Sequence, residues 1–411
     1  MKIAILHYAA PPIVGGVEST IYHHARLLQR AGFTVQVIAG RGAPFHDGVT
    51  FHHVPEVDSR HPAVEAIGAQ LAAGHVPPAF ETLRTRLRET LAPLLRGSRA
   101  CIVHNAVTLH KNLPLTAALH DLAASGDIRL LAWCHDFAWR DALYTSALHE
   151  GFPWDLLRTP WPNTTYVAVS EHRRGMLADL LGLPPEEITV APPGVDPQTF
   201  LGIHPQTAHL AEHLHLWDAA PLMLLPARIT RRKNIEFALH VTAALQQWMP
   251  RATLVVTGPP GAHNPSNAAY LRELQHLRKR EHLEGRVFFL YEHGENGQPL
   301  HVTDEMVADF YRMADLLLYP SLREGFGIPV LEAGLARLPV FAADIPPVHE
   351  SGAEFIHTFA PQGNPQEVAA RIHTFLQADA AYGLRKRVLQ RFTWQAILDT
   401  VVIPLFSPPR D

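Results

Sequence analysis

Cysteine is nearly missing from this chain of 411 residues: only Cys101 and Cys134 occur, without C-x-x-C spacing. That excludes a disulfide scaffold and a zinc knuckle. No uninterrupted apolar run reaches the ~18 residues of a membrane-spanning helix, so none is expected. The opening MKIAILHYAAPP has too short an apolar stretch, and no cleavage pattern, for a secretion signal. Charge of one sign is also lacking. Lys and Arg number 35 against 39 Asp and Glu, a net charge of −4, which argues against a general affinity for nucleic acid. These absences together lead us to expect a soluble, reduced, cytoplasmic protein. Three motifs are missing as well. Without G-x-G-x-x-G there is no dinucleotide fingerprint. Without D-x-D no metal bridging a diphosphate is expected, and without H-E-x-x-H no zinc hydrolase site.

What is present is the balance of a globular protein, 47% hydrophobic and 18% charged, long enough at about 150 residues per domain for two or three domains. In the first half short apolar strands alternate with amphipathic helices. KIAILHYA reads as a strand. VESTIYHHARLLQRAG is a helix with apolar Ile21, Ala25, Leu28 and Ala31, stopped at Gly32, and FTVQVIAG is the next strand. That βαβ unit implies a parallel sheet covered on both faces. ACIVHN, RLLAWCH and TTYVAVS continue it, and Ser170 sits where a helix N-cap belongs, with Gly182 as the stop. The Pro- and Gly-rich TVAPPGVDPQTFLGIHPQ then interrupts the rhythm as a linker. The alternation restarts at PLMLLPARI and runs through ATLVVTG, RVFFLY, ADLLLYPS and LPVFAAD. The expected fold class is therefore α/β, with two doubly wound Rossmann-like domains at 1–200 and 201–391 and a helix over 392–411. In such sheets ligands bind at the carboxyl ends of the strands. Gly15, Gly16, Asn105, His135 and Ser170 fall there in the first half, and Arg228, Gly258 and the Glu324–Gly327 turn in the second. If the two domains face each other, these residues outline one cleft.

Two stretches carry most of the chemistry. In LPARITRRKNIEFALHV a strand over Leu222–Leu225 leads to a helix from about Ile235, with Asn234 as its expected N-cap. Arg228 leaves the strand end, and Lys233 precedes the positive end of the helix dipole, a combination suited to phosphate or diphosphate. A solvated basic loop, with Arg231 and Arg232 in it, is the competing reading. In YPSLREGFGIPVLEAG a strand over Leu316–Tyr319 leads through a glycine loop to a helix beginning near Pro329. Gly325 and Gly327 let backbone N–H groups approach a ligand closely. Glu332 is expected in the first helical turn, where the dipole alone favours a carboxylate. Glu324 precedes the helix, where no such explanation applies. Carboxylates beside an anion site make sense if they bind hydroxyls, since a carboxylate accepts hydrogen bonds from a vicinal diol. Gly15-Gly16 and His135 are weak signals by themselves and gain from their positions at strand ends.

EGFGIPVLEAG, with seven residues between Glu324 and Glu332, resembles the E-x7-E signature of the retaining GT-B glycosyltransferases of family 4. The likeness continues in order through GGVE (15–18), HD (135–136), AVSEH (168–172), PPGVD (192–196), Arg228 with Lys233, and LPVFAADIPPVHE (338–350), over essentially the whole chain. One departure is Ala227, where a glycine commonly precedes the arginine. The resemblance implies a GT-B fold, two Rossmann-like domains facing a central cleft with the C-terminal helix crossing back to the first. It implies transfer of a hexose, with retention, from a nucleotide-diphosphate sugar to an acceptor hydroxyl. Glu332 would bind the ribose hydroxyls. Glu324 would bind the donor sugar, with the N–H groups of Phe326, Gly327 and Ile328 nearby. Arg228 and Lys233 would hold the diphosphate, Gly16 would offer N–H groups to it, and His135 would contact the sugar near the reacting carbon. GDP-mannose and UDP-glucose are the leading donors. Acceptor contacts are expected around Asn105, His110, Lys111, Trp139 and Arg140, and the cationic Lys111 and Arg140 suit a small sugar acid. A lipid or polysaccharide acceptor remains open. No cofactor or metal is expected.

Other features are weaker. His209, His213 and His215 carry an i, i+4 pair, which reads as an exposed helix in the linker region rather than a metal site. Arg84, Arg88 and Arg96 flank a leucine stripe (Leu83, Leu87, Leu91, Leu94, Leu95), which reads as an ordinary amphipathic helix rather than a membrane surface. TGPPGAHNPSNAAYL is a polar loop at a strand end, able to shape the nucleotide or sugar site. The alternative functions are a nucleotide-sugar epimerase and a non-catalytic nucleotide-sugar-binding subunit.

Overall fold

The structure, a computed structural model, describes residues 1–261, 266–294 and 298–406. Thirteen strands are described: β1 Lys2–Ala9, β2 Thr34–Arg41, β3 Val49–His53, β4 Ala100–His104, β5 Leu130–Cys134, β6 Thr164–Ala168, β7 Ile188–Val190, β8 Leu222–Leu225, β9 Thr253–Val256, β10 Val287–Phe289, β11 Leu316–Tyr319, β12 Val340–Ala343 and β13 His357–Phe359. They form two sheets, ordered β3-β2-β1-β4-β5-β6-β7 and β10-β9-β8-β11-β12-β13. Every ladder is parallel. Both orders are doubly wound, with the reversal beside the first strand of each sheet. That places switch points between β1 and β4 and between β8 and β11, where such folds bind ligands.

Contacts divide the chain into two units. The first is Met1–Gly194 with the segment from Phe392, and the second is Val195–Arg391. The first unit thus closes a few residues before the expected boundary at 200. Its strands are buried on both faces, which is why KIAILHYA is apolar throughout rather than alternating. Ile3 and Ile5 face one core, shared with Ile21, Ala25 and Leu28 of the Gly16–Arg30 helix. Ala4 and Leu6 face the other. The expected leucine stripe of the Pro78–Leu95 helix is spent in that second core. Leu83, Leu87, Leu91 and Leu95 are buried there, with Leu94 partly buried. Ser170 caps the Glu171–Leu181 helix by accepting from Arg173 N at 3.1 Å, and Gly182 ends it in the left-handed region.

The C-terminal segment returns to the first unit. Trp394, Ile397, Leu398, Val402 and Phe406 join the Ile3 and Ile5 core, and Arg99 and Arg129 donate to the carbonyls of Phe406 and Leu405. A side chain at Gly194 would collide with the Trp394 backbone. Of the helix expected over 392–411, residues 407–411 lie outside the described residues, as do 262–265 of the polar loop after β9. The second unit repeats the plan, with Met223 and Leu225 facing one core and Leu222 and Leu224 the other. The i, i+4 histidines fall on the Pro205–His213 helix, with His215 beyond its end. No helix among the described residues is long and apolar enough to cross a membrane.

Two local expectations need correction. Asn234 does not cap its helix. It adopts a left-handed conformation (φ 52°) without a capping hydrogen bond, and its side chain instead donates to the Pro361 carbonyl. The short Arg231–Lys233 turn ahead of it imposes that reversal. Glu332 does not lie in the first turn either. The helix runs Ile328–Leu335 and starts early enough to place Glu332 in its second turn, beyond the reach of the dipole argument.

Candidate active site

In the second unit the loops after β8 and β9 are stitched together. Ile229 N donates to Pro259 O at 2.9 Å and Gly258 N to Ala227 O at 3.1 Å. A Cβ at Gly258 would lie 2.5 Å from the Ala227 carbonyl oxygen, so only glycine admits this approach. Beside the joined loops lies a cavity of about 330 Å³ whose lining includes Arg228, Arg232, Lys233 and Thr230. Arg228 is exposed and forms no ion pair among the described residues. Arg231, grouped with Arg232 in the sequence, is spent on Glu273 at 2.6 and 2.7 Å.

Lys233 and Glu324 meet directly. Their side chains are each only 8% exposed, and Lys233 Nζ donates to Glu324 Oε1 at 2.5 Å and to the Tyr319 hydroxyl at 3.1 Å. Arg232 donates to Glu324 Oε2 at 3.0 Å and to the Arg323 carbonyl at 3.0 Å. Burial, the largest single influence, would raise the pKa of Glu324, but hydrogen bonds from Lys233, Ser321 and Tyr319 together with the charge of Lys233 outweigh it and the net shift is downward. Burial lowers the pKa of Lys233, and the carboxylate offsets only part of that. The asymmetry follows from the partners: several donors oppose burial at Glu324, whereas one carboxylate opposes it at Lys233. The ammonium, with Glu324 and Tyr319 as acceptors, keeps one proton for a ligand.

The next turn is open. Gly327 has φ 96°, a conformation that favours glycine. Among the described residues the N–H groups of Phe326, Gly327 and Ile328 have no acceptor, so the helix start presents unpaired donors. The side chains of Phe326 and Ile328 are exposed, and a Cβ at Gly325 would meet nothing. Glu332 is exposed, yet its Oε2 accepts from the buried Tyr311 hydroxyl at 2.6 Å.

In the first unit Gly16 begins its helix, and a Cβ there would meet open space, whereas one at Gly15 would run into the Glu18 carboxylate. Both glycines border the exposed tip at Val14, beside a cavity of about 220 Å³. His135 follows β5. Its backbone N–H donates to Asn105 Oδ1 at 2.8 Å, and its Nε2 lies 3.1 Å from His104 Nδ1. His104 is fully buried, with His7 and His24 buried around it. Burial lowers the pKa of all four, His7 and His135 to about 4 and His24 to about 3. His135 is therefore a neutral hydrogen-bonding group at ordinary pH.

The expected acceptor residues divide. Asn105 (φ 58°) is buried and spends its oxygen on the 135–136 backbone, which makes it a support for His135. Trp139 donates to the Trp154 carbonyl at 3.2 Å and carries the Arg158 guanidinium 4.2 Å from its ring centroid, so it is committed to packing. Lys111 and Arg140 are exposed, and the His110 ring lies tilted against Tyr144, 4.9 Å between centroids. The residues that sequence reasoning missed are Arg232, Tyr311, Tyr319 and His104. Arg232 was visible but undistinguished from Arg231. The others act through contacts from neighbouring elements that leave no local pattern. No group of three or more His, Cys, Asp or Glu able to hold a metal occurs among the described residues.

Two family models match the chain: "Glycosyltransferase Family 4" over residues 14–199 and "Glycosyl transferases group 1" over 215–390. A D-inositol 3-phosphate glycosyltransferase of Kineococcus radiotolerans is 31% identical over 253 residues, 57% of this chain and 55% of that protein. The mannosylglucosylglycerate synthase of Petrotoga mobilis is 25% identical over 264 residues, 60% of this chain and 59% of that one. The matched stretch thus spans little more than half the length of these curated relatives. Among solved structures, a sucrose-phosphate synthase from Thermosynechococcus elongatus shares 19% identity over 98% of this chain and 99% of that one, with a TM-score of 0.39. A glycosyltransferase from Rickettsia africae shares 15% over 98% and 97%, with a TM-score of 0.35. Those low scores add nothing to the fold assignment. The two matched models cover both units, each unit has the doubly wound sheet of the GT-B fold, and the chain belongs to glycosyltransferase family 4.

Proposed function

We propose that this protein moves a hexose, with retention of anomeric configuration, from a nucleotide-diphosphate sugar to an acceptor hydroxyl. The observation that carries this reading is the second unit's cation-lined cavity, with Glu324 held by two of the cations that line it, Arg232 and Lys233. Arg228 and the remaining proton of Lys233 would take the diphosphate, joined by the unpaired N–H groups at Phe326–Ile328. Glu324 would accept from hydroxyls of the donor sugar and Glu332 from those of the ribose. As the bond from the anomeric carbon to the diphosphate oxygen breaks, charge grows on that oxygen, where fixed cations stabilise it most. The acceptor oxygen forms its bond on the same face, and its proton passes to the departing diphosphate. His135, uncharged and held by Asn105 and His104, is assigned to the sugar. These cations take the place of a metal, so we propose metal-independent transfer.

GDP-mannose and UDP-glucose are the proposed donors. The acceptor is proposed to be a small acidic molecule, read by the exposed Lys111 and Arg140. The names of two relatives, one acting on an inositol phosphate and one making a glycerate glycoside, support that class. The test is a thermal-shift panel of GDP, UDP, GDP-mannose and UDP-glucose, followed by transfer to glycerate and inositol phosphate with chelator present. A donor raises the melting temperature by mass action, and NMR of the product shows a retained anomer. An inverted product would refute retention. Conversion of the donor without an acceptor would favour an epimerase, and binding without any turnover a non-catalytic subunit.

A further inference from the structure

We infer that Tyr311 is a positioning residue for the nucleotide's ribose, acting through Glu332. This rests on the reading of Glu332 as the ribose-binding carboxylate and names what makes that carboxylate competent. Tyr311 lies on the Asp304–Met313 helix, sequence-distant from the E-x7-E stretch. Its ring is 4% exposed and packs in the apolar core with Met306, Phe310 and Val330. Its hydroxyl emerges beside the Ile328–Leu335 helix, 2.6 Å from Glu332 Oε2 and 3.3 Å from the Pro329 carbonyl. A phenol has one proton to donate, and the shorter contact to the charged acceptor takes it.

An exposed glutamate on a helix ordinarily samples several rotamers, and ordering them on ligand binding costs affinity. Glu332 is instead tethered at one oxygen by a group that the core itself fixes. The tether leaves Oε1 unused among the described residues and leaves Oε2 one further acceptor site. That is one acceptor for each hydroxyl of a vicinal diol, presented in a fixed orientation. Glu332 also lies in the second turn, so helix-dipole stabilisation does not account for its presence. Glu324 is held in the same manner by different means, Lys233 and Arg232 in place of a phenol. The two glutamates therefore meet their hydroxyls already oriented.

The test compares Tyr311→Phe with native protein in calorimetric binding of GDP and UDP, each against its dideoxyribose counterpart. The phenylalanine keeps the ring and removes only the donor. The expected result is roughly tenfold or more weaker binding of whichever ribonucleotide the native protein binds, given the worth of a hydrogen bond to a charged group, with the dideoxy form unchanged. In turnover, KM for the donor rises and kcat holds. Equal weakening of both forms would mean a structural role and overturn the inference, as would no weakening. Glu332→Gln separates the two layers. If it abolishes the preference for ribose while Tyr311→Phe leaves it intact, the inference alone falls. If Glu332→Gln leaves the preference intact, the ribose reading of Glu332 falls with it. A melting curve on each variant records any loss of fold, and the ribose-to-dideoxyribose ratio remains readable on the folded fraction.

Discussion

Replacing Glu324 by alanine is the obvious trial of the donor site, and the structure says that it will mislead if used alone. Glu324 and Lys233 are both about nine-tenths covered and are paired at 2.5 Å. Alanine at 324 strands the ammonium with only the Tyr319 hydroxyl beside it. Breaking a buried ion pair by removing one partner costs about 3–5 kcal/mol, a large part of the roughly 5–15 kcal/mol that holds a domain together. For a unit of this size the melting temperature should fall by roughly 10 °C. Lys233→Met strands Glu324 less severely, because the half-exposed Arg232 still reaches it. The double variant Lys233→Met with Glu324→Leu removes both buried charges together. It should recover at least half of the stability lost by Glu324→Ala while remaining inactive in transfer. The assay is urea denaturation beside donor turnover for the three variants. Two results would refute the reasoning: a Glu324→Ala protein as stable as the native one, or a double variant that loses the sum of the single effects.

Other consequences can be checked in parallel. The buried histidines His7, His24 and His104 and the half-buried His135 have folded pKa values below their ordinary 6.5, so between pH 6.5 and about 4 the unfolded chain binds more protons. Their stability is therefore present above pH 6.5 and is lost as pH falls, by up to about 1.4 kcal/mol per histidine per pH unit. Urea midpoints at pH 7 and 5.5 should show it, and His24→Leu should flatten the slope by about one proton. Gly258→Ala forces a Cβ against the Ala227 carbonyl and should weaken binding of the nucleotide diphosphate at least tenfold, about 1.4 kcal/mol or more of overpacking, as calorimetry would read. Lys386 donates to the Ala219 carbonyl at 2.9 Å and pairs with the buried Asp315 at 2.5 Å. Lys386→Met should thus cost about 3 kcal/mol in urea denaturation, with little change in turnover by the folded protein.

Legibility in the sequence followed the range of the interaction. The strands, Ser170 at its helix N-cap and Gly182 at the stop depend on neighbours within a few residues, and local periodicity displays them. The Glu324 loop, Arg228 and Lys233 were legible because the βα alternation puts them at strand ends. The error at Asn234 arose because a tight turn ahead of the helix overrode the residue's capping preference. The error at Glu332 was one of phase, since a helix beginning at Ile328 rather than Pro329 shifts which turn a carboxylate occupies. Tyr311, Tyr319 and His104 escaped notice because their significance lies in which elements the fold stacks beside them. A tyrosine in an amphipathic helix looks like core until its hydroxyl is seen to reach an exposed carboxylate.

The seat of Trp394 against Gly194 bears on how the chain comes to be folded at all. The first unit is interrupted by the whole of the second, and residues 392–406 are synthesised only after Val195–Arg391 is complete. Until then the Ile3 and Ile5 face of the first sheet lacks Trp394, Ile397, Leu398, Val402 and Phe406, and the ring of His23 lacks the indole that stacks on it at 4.7 Å. Closing so long a loop carries only a logarithmic entropic cost. The delay is therefore one of time rather than of free energy: during synthesis the second unit is the earlier of the two to possess all of its own residues, and the first remains a half-covered sheet awaiting its last strip.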